Sequence, residues 1–365
     1  MAAAEGLAAK DARTVHDLVK TWRLKKPRND LRDAYYRGHI RPKRLGVAVH
    51  PKVKVAVSCG WPRKAVDYLA CRSILEGFTV ADDETDGQIR EIMADNMLQE
   101  SYLDAVTSEL IHCCTFLTVT ASPDDKYRPI IRAVPATAAS ALWDDTARRI
   151  RAGLVVVEME RDLATGRTEA TKADVFTDSH VIQLDKRGRV WHAEYKESSM
   201  GRVLMEPMAN RPTLMLPFGR SVISRSVMQL ADAHMRQSER AEVAAEFAAA
   251  PQKYLLGVTR EMRDSISAYD AYIGSLFAIS VNDEGNIPQF GQLPQPSMAP
   301  HIEYMRSLAL QASSETDVPA SAMGVVTENP TSADAIGATK ADAVLRVQQI
   351  NQRSEERRVG KECRL

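Results

Sequence analysis

The sequence predicts an α+β fold, with a helical block first, an antiparallel sheet after it and a long helix beyond. Three observations carry this. Residues 8–112 place apolar side chains at helical spacing. Residues 116–195 contain six short runs rich in β-branched and aromatic residues, broken by turn residues. Residues 221–249 run for 29 positions without Gly or Pro. Elements grouped by type, rather than alternating, give an antiparallel sheet beside helices and not a doubly wound parallel sheet.

The first helical stretch, residues 8–37, uses Leu7, Val15, Leu18, Val19, Trp22, Leu31, Ala34 and Tyr35 as its apolar set. Pro27 is expected to split it into two helices, the second ending near Gly38. A helix over 62–77 has Pro62 at its start, Val66, Leu69, Ala70 and Ile74 on one face, and Gly77 as its stop. A long amphipathic helix is expected over 86–112 through Ile89, Ile92, Met93, Met97, Leu103, Val106 and Leu110. The expected strands are Phe116–Thr120, Ile130–Val134, Leu154–Arg161, Thr168–Val175, Ser179–Leu184 and Val190–Tyr195, with turns at Thr165-Gly166 and Lys186-Arg187-Gly188. Ser221 is read as the N-cap of the 221–249 helix and Pro251 as its end, for a length of roughly 43 Å at 1.5 Å per residue. Its alanines let neighbouring helices approach closely. Residues 254–300 form a small mixed unit around apolar Leu276–Val281 and a turn at 283–286. Helices follow over His301–Thr316 and from Ser332 to at least Gln352.

At 365 residues the chain can hold two or three domains, and a hydrophobic content of 44% excludes wholesale disorder. Lys+Arg and Asp+Glu both number 48, so a uniformly basic nucleic-acid binder is excluded while a local basic face is not. The charge is segregated. Residues 20–64 hold 14 Lys/Arg against 2 Asp/Glu, and residues 67–109 hold 11 Asp/Glu against 2 Lys/Arg, giving +12 and −9. The two blocks are expected to neutralise each other within or between subunits; contact of the basic block with nucleic acid is the sharper reading. Five cysteines without a C-x-x-C pair read as free thiols of a reduced, intracellular protein. No run approaches 18 apolar residues and the N-terminus lacks a signal pattern, so neither membrane span nor secretion is expected.

Chemistry-bearing motifs are missing. The sequence contains no G-x-x-x-x-G-K-[ST], G-x-G-x-x-G, H-E-x-x-H or G-x-S-x-G. The eight histidines have no ligand spacing. The acidic run D-D-E-T-D-G at 82–87 fails as a calcium loop, because position twelve counted from Asp82 is Met93, where a bidentate Glu is needed. No catalytic residue, cofactor or metal is expected, and the chain is not read as an enzyme.

Residues 353–363, R-S-E-E-R-R-V-G-K-E-C, look like the conceptual translation of a sequencing-adapter oligonucleotide. The 353–365 segment is therefore set aside as an artefactual tail, expected to pack against nothing, and the natural chain is expected to continue past Gln352. The tail holds five cations and three carboxylates, so residues 1–352 carry a net charge of −2.

The order Y-Y-R-G at 35–38, W-P-R-K-A-V-D-Y at 61–68, D-N-M-L at 95–98, the sheet, then G-R-S at 219–221 resembles tailed-bacteriophage portal proteins, above all those of phages of actinobacteria. Two further pieces carry the likeness. A-D-A-H-M-R-Q-S-E-R-A-E-V-A-A-E-F-A-A-A-P-Q-K-Y-L-L-G at 231–257 looks like the family's descending stem helix, and V-P-A-S-A-M-G-V-V-T-E-N-P-T-S-A-D-A-I at 318–336 resembles its NP-[ST]-S-A-[DE]-A-I stretch. Gly337 and Lys340 depart from the pattern that follows, and the family's C-terminal crown region is missing here.

The resemblance implies a wing over 1–220, a stem helix over 221–253, a small mixed α/β clip over 254–300, a returning stem helix over 301–316 and a wing/channel-loop segment over 317–352. It implies channel-loop residues Thr327, Glu328, Asn329, Pro330, Thr331 and Ser332, and stem residues Arg236, Glu239, Arg240, Ala241, Ala244, Ala245 and Ala248. It further implies a homo-oligomeric ring, typically of twelve subunits, at a capsid vertex. Its partners would be the terminase large subunit, capsid and scaffold proteins, head–tail connectors and double-stranded DNA passing without sequence preference. The protein would reside in the virion and, during assembly, in the host cytoplasm. The alternative is another non-enzymatic virion head protein, such as a connector or minor capsid protein.

Overall fold

Pro27 does not divide the first helix. In the computed structural model, α1 runs unbroken from Ala9 to Tyr36 with the proline inside it, against the expected pair of helices. A proline costs one backbone hydrogen bond and crowds the preceding turn, so such a helix needs support on both sides of it. Trp22 Nε1 donates to Thr137 O at 2.8 Å and Asn29 Nδ2 donates to Ala136 O at 3.0 Å, pinning the two halves to one stretch of backbone.

The structure describes residues 1–41, 49, 55–78, 82–122, 128–161, 168–249, 253–256, 289–292, 294, 297–325 and 341–351. The 353–365 tail, the Thr165-Gly166 turn, most of 254–300 and the 327–332 loop with its Ser332 cap lie outside them.

Two more helices are corrected. α2 spans Trp61–Ala70 and stops seven residues before Gly77. Arg72 and Ser73 N–H groups close back onto Leu69 and Ala70 carbonyls, and the buried Ser73 hydroxyl donates to Asn351 Oδ1 at 2.7 Å. Ile74, expected on the core face, is left 71% exposed. The 86–112 helix is two helices, α3 (Asp83–Asp95) and α4 (Leu98–His112). Asn96 makes the break. Its side chain donates to Pro129 O at 3.0 Å and accepts from Ile131 N at 2.8 Å, which ties it to a strand edge, and Met97 takes a left-handed φ of 45°.

The strands are β1 (Cys114–Ala121), β2 (Pro129–Pro135), β3 (Ala139–Asp144), β4 (Arg149–Arg161), β5 (Thr168–Phe176), β6 (His180–Arg187), β7 (Val190–Glu197) and β8 (Met205–Ala209). They form an antiparallel sheet in order β3-β4-β5-β6-β7 and a three-stranded sheet in order β2-β1-β8. β3 and β8 escaped the sequence reading. One is half small residues; the other contains Pro207, which a sheet tolerates on an edge strand such as β8.

β4 is buried on both faces. Ala152, Leu154 and Val156 pack with Val15, Leu18 and Trp22 of α1, while Val155 joins Phe116 and Met205 of the smaller sheet. The period of two sends alternate side chains to opposite faces, so this interior strand reads as a continuous apolar run. Gly153 is required there: a Cβ would overlap the Met205 sulfur.

Beyond the sheets, α5 spans Arg225–Ala249 without interruption, starting four residues later than expected. Ser224 caps it, its Oγ accepting from Val227 N at 3.2 Å. Strands β9 (Lys253–Leu256) and β10 (Gln289–Gln292) pair antiparallel. α6 spans Ala299–Thr316, and residues 341–351 are helical (α7). The chain divides into two compact units. One comprises Met1–Ile40, Gly60–Ala231 and Ala312–Leu365, and the other Arg41–Cys59 and Asp232–Gln311.

Candidate functional site

Ser221 is not the helix cap because its hydroxyl is used elsewhere. It donates to Ile111 O at 2.6 Å, at the end of α4, and accepts from Ile223 N at 2.9 Å. The neighbouring residues of G-R-S make the same joint. Arg220 N donates to Asn210 O at 2.7 Å, Asn210 Nδ2 donates to Arg220 O at 2.6 Å, and Asn210 N donates to Cys113 O at 2.9 Å. Gly219 sits at φ +72°, and a Cβ on it would overlap Asn210 O. Asn210, 2% exposed, thus links the end of β8, the α4–β1 corner and the segment leading into α5. Nothing in its local sequence announces this role, since its partners, Arg346 Nη2 at 3.5 Å among them, lie 10 to 136 residues away along the chain.

α1 holds the same corner from the other side. Arg32 Nη1 donates to His112 O at 3.2 Å and to Cys113 Sγ at 2.8 Å. Cys113 has φ +92°, a strained conformation for a residue with a Cβ. Burial pushes the Cys114 thiol up. Burial also pushes His112 down to about 4, opposed by the Asp33 carboxylate. A histidine depressed below its ordinary 6.5 lets the unfolded chain take up the proton first. Its contribution is therefore full above about pH 6.5 and is lost as pH falls toward 4, by roughly 3 kcal/mol at most. His112→Gln should flatten this dependence: the urea midpoint of the wild type should fall more between pH 7.5 and 4.5 than that of the variant. Parallel falls in both proteins would place the acid sensitivity elsewhere.

The other quoted motifs also meet. Tyr36 of Y-Y-R-G donates to Asp67 Oδ1 at 2.8 Å, and the Arg63 guanidinium lies 5.5 Å from the Tyr36 ring centre. Trp61 Nε1 donates to Met323 O at 3.3 Å and Lys64 Nζ to Ala322 O at 2.8 Å. W-P-R-K-A-V-D-Y is thereby joined both to α1 and to the turn of V-P-A-S-A-M-G. In acidic α3, Asp86 pairs with Arg90 of the same helix at 2.7 Å, while Glu91 and Asp95 pair with Arg128 at 3.1 and 3.2 Å. In the basic block, Lys26 and Arg37 pair with Asp30 and Asp33 of their own helix.

In the second unit α5 and α6 lie side by side. Gln237 Nε2 and His301 Nδ1 are 2.7 Å apart, and Ser238 Oγ donates to Met305 Sδ at 3.9 Å. Of the stem candidates, Glu239 and Ala241 are buried, Arg236, Arg240, Ala244 and Ala248 are half-buried, and Ala245 is exposed. The alanine stripe at 241, 244, 245 and 248 therefore starts under cover and emerges toward the end of the helix. Large apolar side chains are also exposed on the pair: Phe247 on α5, and Ile302, Tyr304 and Leu310 on α6, the most exposed being Ile302 at 60%. The channel-loop candidates Thr327, Glu328, Asn329, Pro330, Thr331 and Ser332 lie outside the described residues.

Among the described residues no three His, Cys, Asp or Glu are grouped to hold a metal ion. Also among them, no helix is long and apolar enough to cross a membrane.

No protein-family model matches the chain. The portal protein of Mycobacterium phage L5 is 26% identical over 333 residues, covering 87% of this chain and 66% of that protein. The portal protein of Mycobacterium phage D29 is 25% identical over 333 residues, covering 87% of this chain and 67% of that protein. The chain spans about two thirds of the length of these relatives. Among solved structures, a chain of the virion of a native gene transfer agent particle superposes with a TM-score of 0.42 at 10% identity, over 84% of this chain and 86% of that one. A chain of the neck of that kind of particle, computed with C12 symmetry, gives 0.40 at 9% identity, over 76% of this chain and 69% of its own. Related in sequence along most of its length to two proteins of one name, the α+β chain is a homologue of the mycobacteriophage portal proteins.

Proposed function

We propose that the chain is the subunit of a portal ring at one vertex of a tailed-phage capsid. Double-stranded DNA enters through this ring during packaging and leaves through it during ejection. The alignment to two portal proteins over 87% of the chain carries this reading. The helix pair supports it: a 25-residue helix whose far end bears alanines and exposed apolar side chains, beside a second helix exposing Ile302, Tyr304 and Leu310, leaves surface that neighbouring copies would cover. In this layout residues 1–220 and 317–352 form the wing, 221–253 and 301–316 the stem, and 254–300 the clip that meets the terminase large subunit. Capsid, scaffold and head–tail connector proteins are its partners, the 327–332 loop lies near the channel, and the ring performs no chemistry. A net charge near zero suits a channel through which DNA slides, because each neutralised phosphate adds affinity.

Electron microscopy of the purified chain tests the reading directly. Rings with a central channel wide enough for duplex DNA, about twelve subunits round, are expected. A population of compact monomers and dimers at every concentration would overturn it.

A further inference from the structure

A cavity of about 520 Å³ opens where α1, the end of α4 and residues 215–224 come together. Lys25, Arg28, Arg32 and Arg220 line it, with Phe116 and Phe218 beneath, and no Asp or Glu is among its lining residues. Arg32 is engaged with the α4–β1 corner. Lys25, Arg28 and Arg220 point into solvent, exposed, and the carboxylates of the same helix turns, Asp30 and Asp33, are held by Lys26 and Arg37. Around these cations stand bare apolar side chains. Leu24 and Leu31 flank Arg28 on the α1 surface, and a tight turn closed by Thr213 and Leu216 displays Leu214 and Met215, 80% and 87% exposed.

A surface of opposite sign lies at the other end of α4. Met97, Glu100, Leu103 and Asp104 recur at helical spacing on one stripe, and all four are exposed. This stripe pairs two carboxylates with two apolar side chains, as the cavity rim pairs cations with leucines and a methionine. Asp104 and His112 are eight residues apart on α4, so roughly 12 Å of one rigid helix separates the stripe from the cavity.

We propose that the basic cavity rim of one copy of this chain receives the acidic Met97–Asp104 stripe of a second copy, forming the head-to-tail contact of the ring. This rests on the ring reading above and names the surfaces that build it. DNA is the poorer occupant of the rim: phosphates would satisfy Lys25, Arg28 and Arg220 but leave Leu24, Leu214 and Met215 in water, whereas Met97 and Leu103 bury them. Neither surface can pair with its own kind, since like charges would be set face to face. A contact between two different patches leaves one of each free at the ends of every pair, so it propagates until it closes.

Charge reversal on each side, and then on both together, tests this. One variant carries Lys25→Glu and Arg28→Glu; the other carries Glu100→Lys and Asp104→Lys. Circular dichroism verifies that each folds, and mass photometry reads assembly against concentration. Each variant alone should need a concentration higher by at least about tenfold to assemble, because its two surfaces now share one sign. An equimolar mixture should assemble close to the wild-type concentration, since acidic stripe again meets basic rim in alternating copies. A protein that merely misfolds cannot give that rescue. Rings formed as readily by both single variants would overturn the contact while leaving the ring reading standing, and so would variants that assemble normally but lose retention on duplex DNA. Wild-type chain that never passes the monomer, or closes as a dimer, would overturn both.

Discussion

Ala245→Pro should abolish ring assembly and leave both sheets folded. Ala245 sits in the last two turns of α5, exposed, with helix on both sides of it. Proline there removes the hydrogen bond to the preceding turn and drives its ring into that turn, at about 3 kcal/mol or more. α1 tolerates Pro27 because Trp22 and Asn29 anchor the helix on either side. Ala245 lies instead in an exposed stretch with Glu242, Glu246 and Phe247. Ala245→Ser changes volume little and should assemble like the wild type. Size-exclusion chromatography separates ring from monomer, and far-ultraviolet circular dichroism reports whether the strand signal survives. Normal rings from the proline variant would remove α5 from the assembly contact.

Gly219→Ala should be strongly destabilising for a single added methyl. The residue holds φ +72°, and the added carbon would overlap the Asn210 carbonyl oxygen, which already accepts from Arg220 N. A left-handed alanine costs about 1–2 kcal/mol and forced overlap adds roughly 1–3. The melting temperature should fall by on the order of 10 °C. Gly188→Ala is the matched control: its φ is +62° with nothing within 4 Å, so only the conformational part remains, about 1 kcal/mol. Equal losses in the two variants would mean that the Asn210 joint adjusts freely.

What could be read from the sequence depended on where each decision is made. Six strands and the α5 helix are decided locally, by alternation and by 25 helical residues without a breaker, and they stood out. The break at Asn96 and the continuity through Pro27 are decided by backbone at Pro129, Ile131, Ala136 and Thr137, so no window around either residue shows them. The alanine stripe of α5 is a local pattern and was legible as a candidate packing surface. The basic rim was legible only as a charge block, because Arg28 and Arg220 meet through folding across almost the whole first unit. Asn210 gave no signal at all.

The bonds that seat α1 have a further consequence for how the chain comes off the ribosome. Trp22 waits for Thr137, Leu18 O for the Ser140 hydroxyl, and the Asp11 carboxylate for the Tyr195 hydroxyl, separations of 115, 122 and 184 residues. At 5–20 residues per second, the last of these partners is made roughly 10–40 s after the helix itself. For that interval α1 carries Val15, Leu18, Val19 and Trp22 with no sheet to cover them. The first element synthesised is thus among the last to be seated, and the nascent chain displays a greasy, cationic helix to whatever binds exposed apolar segments during translation.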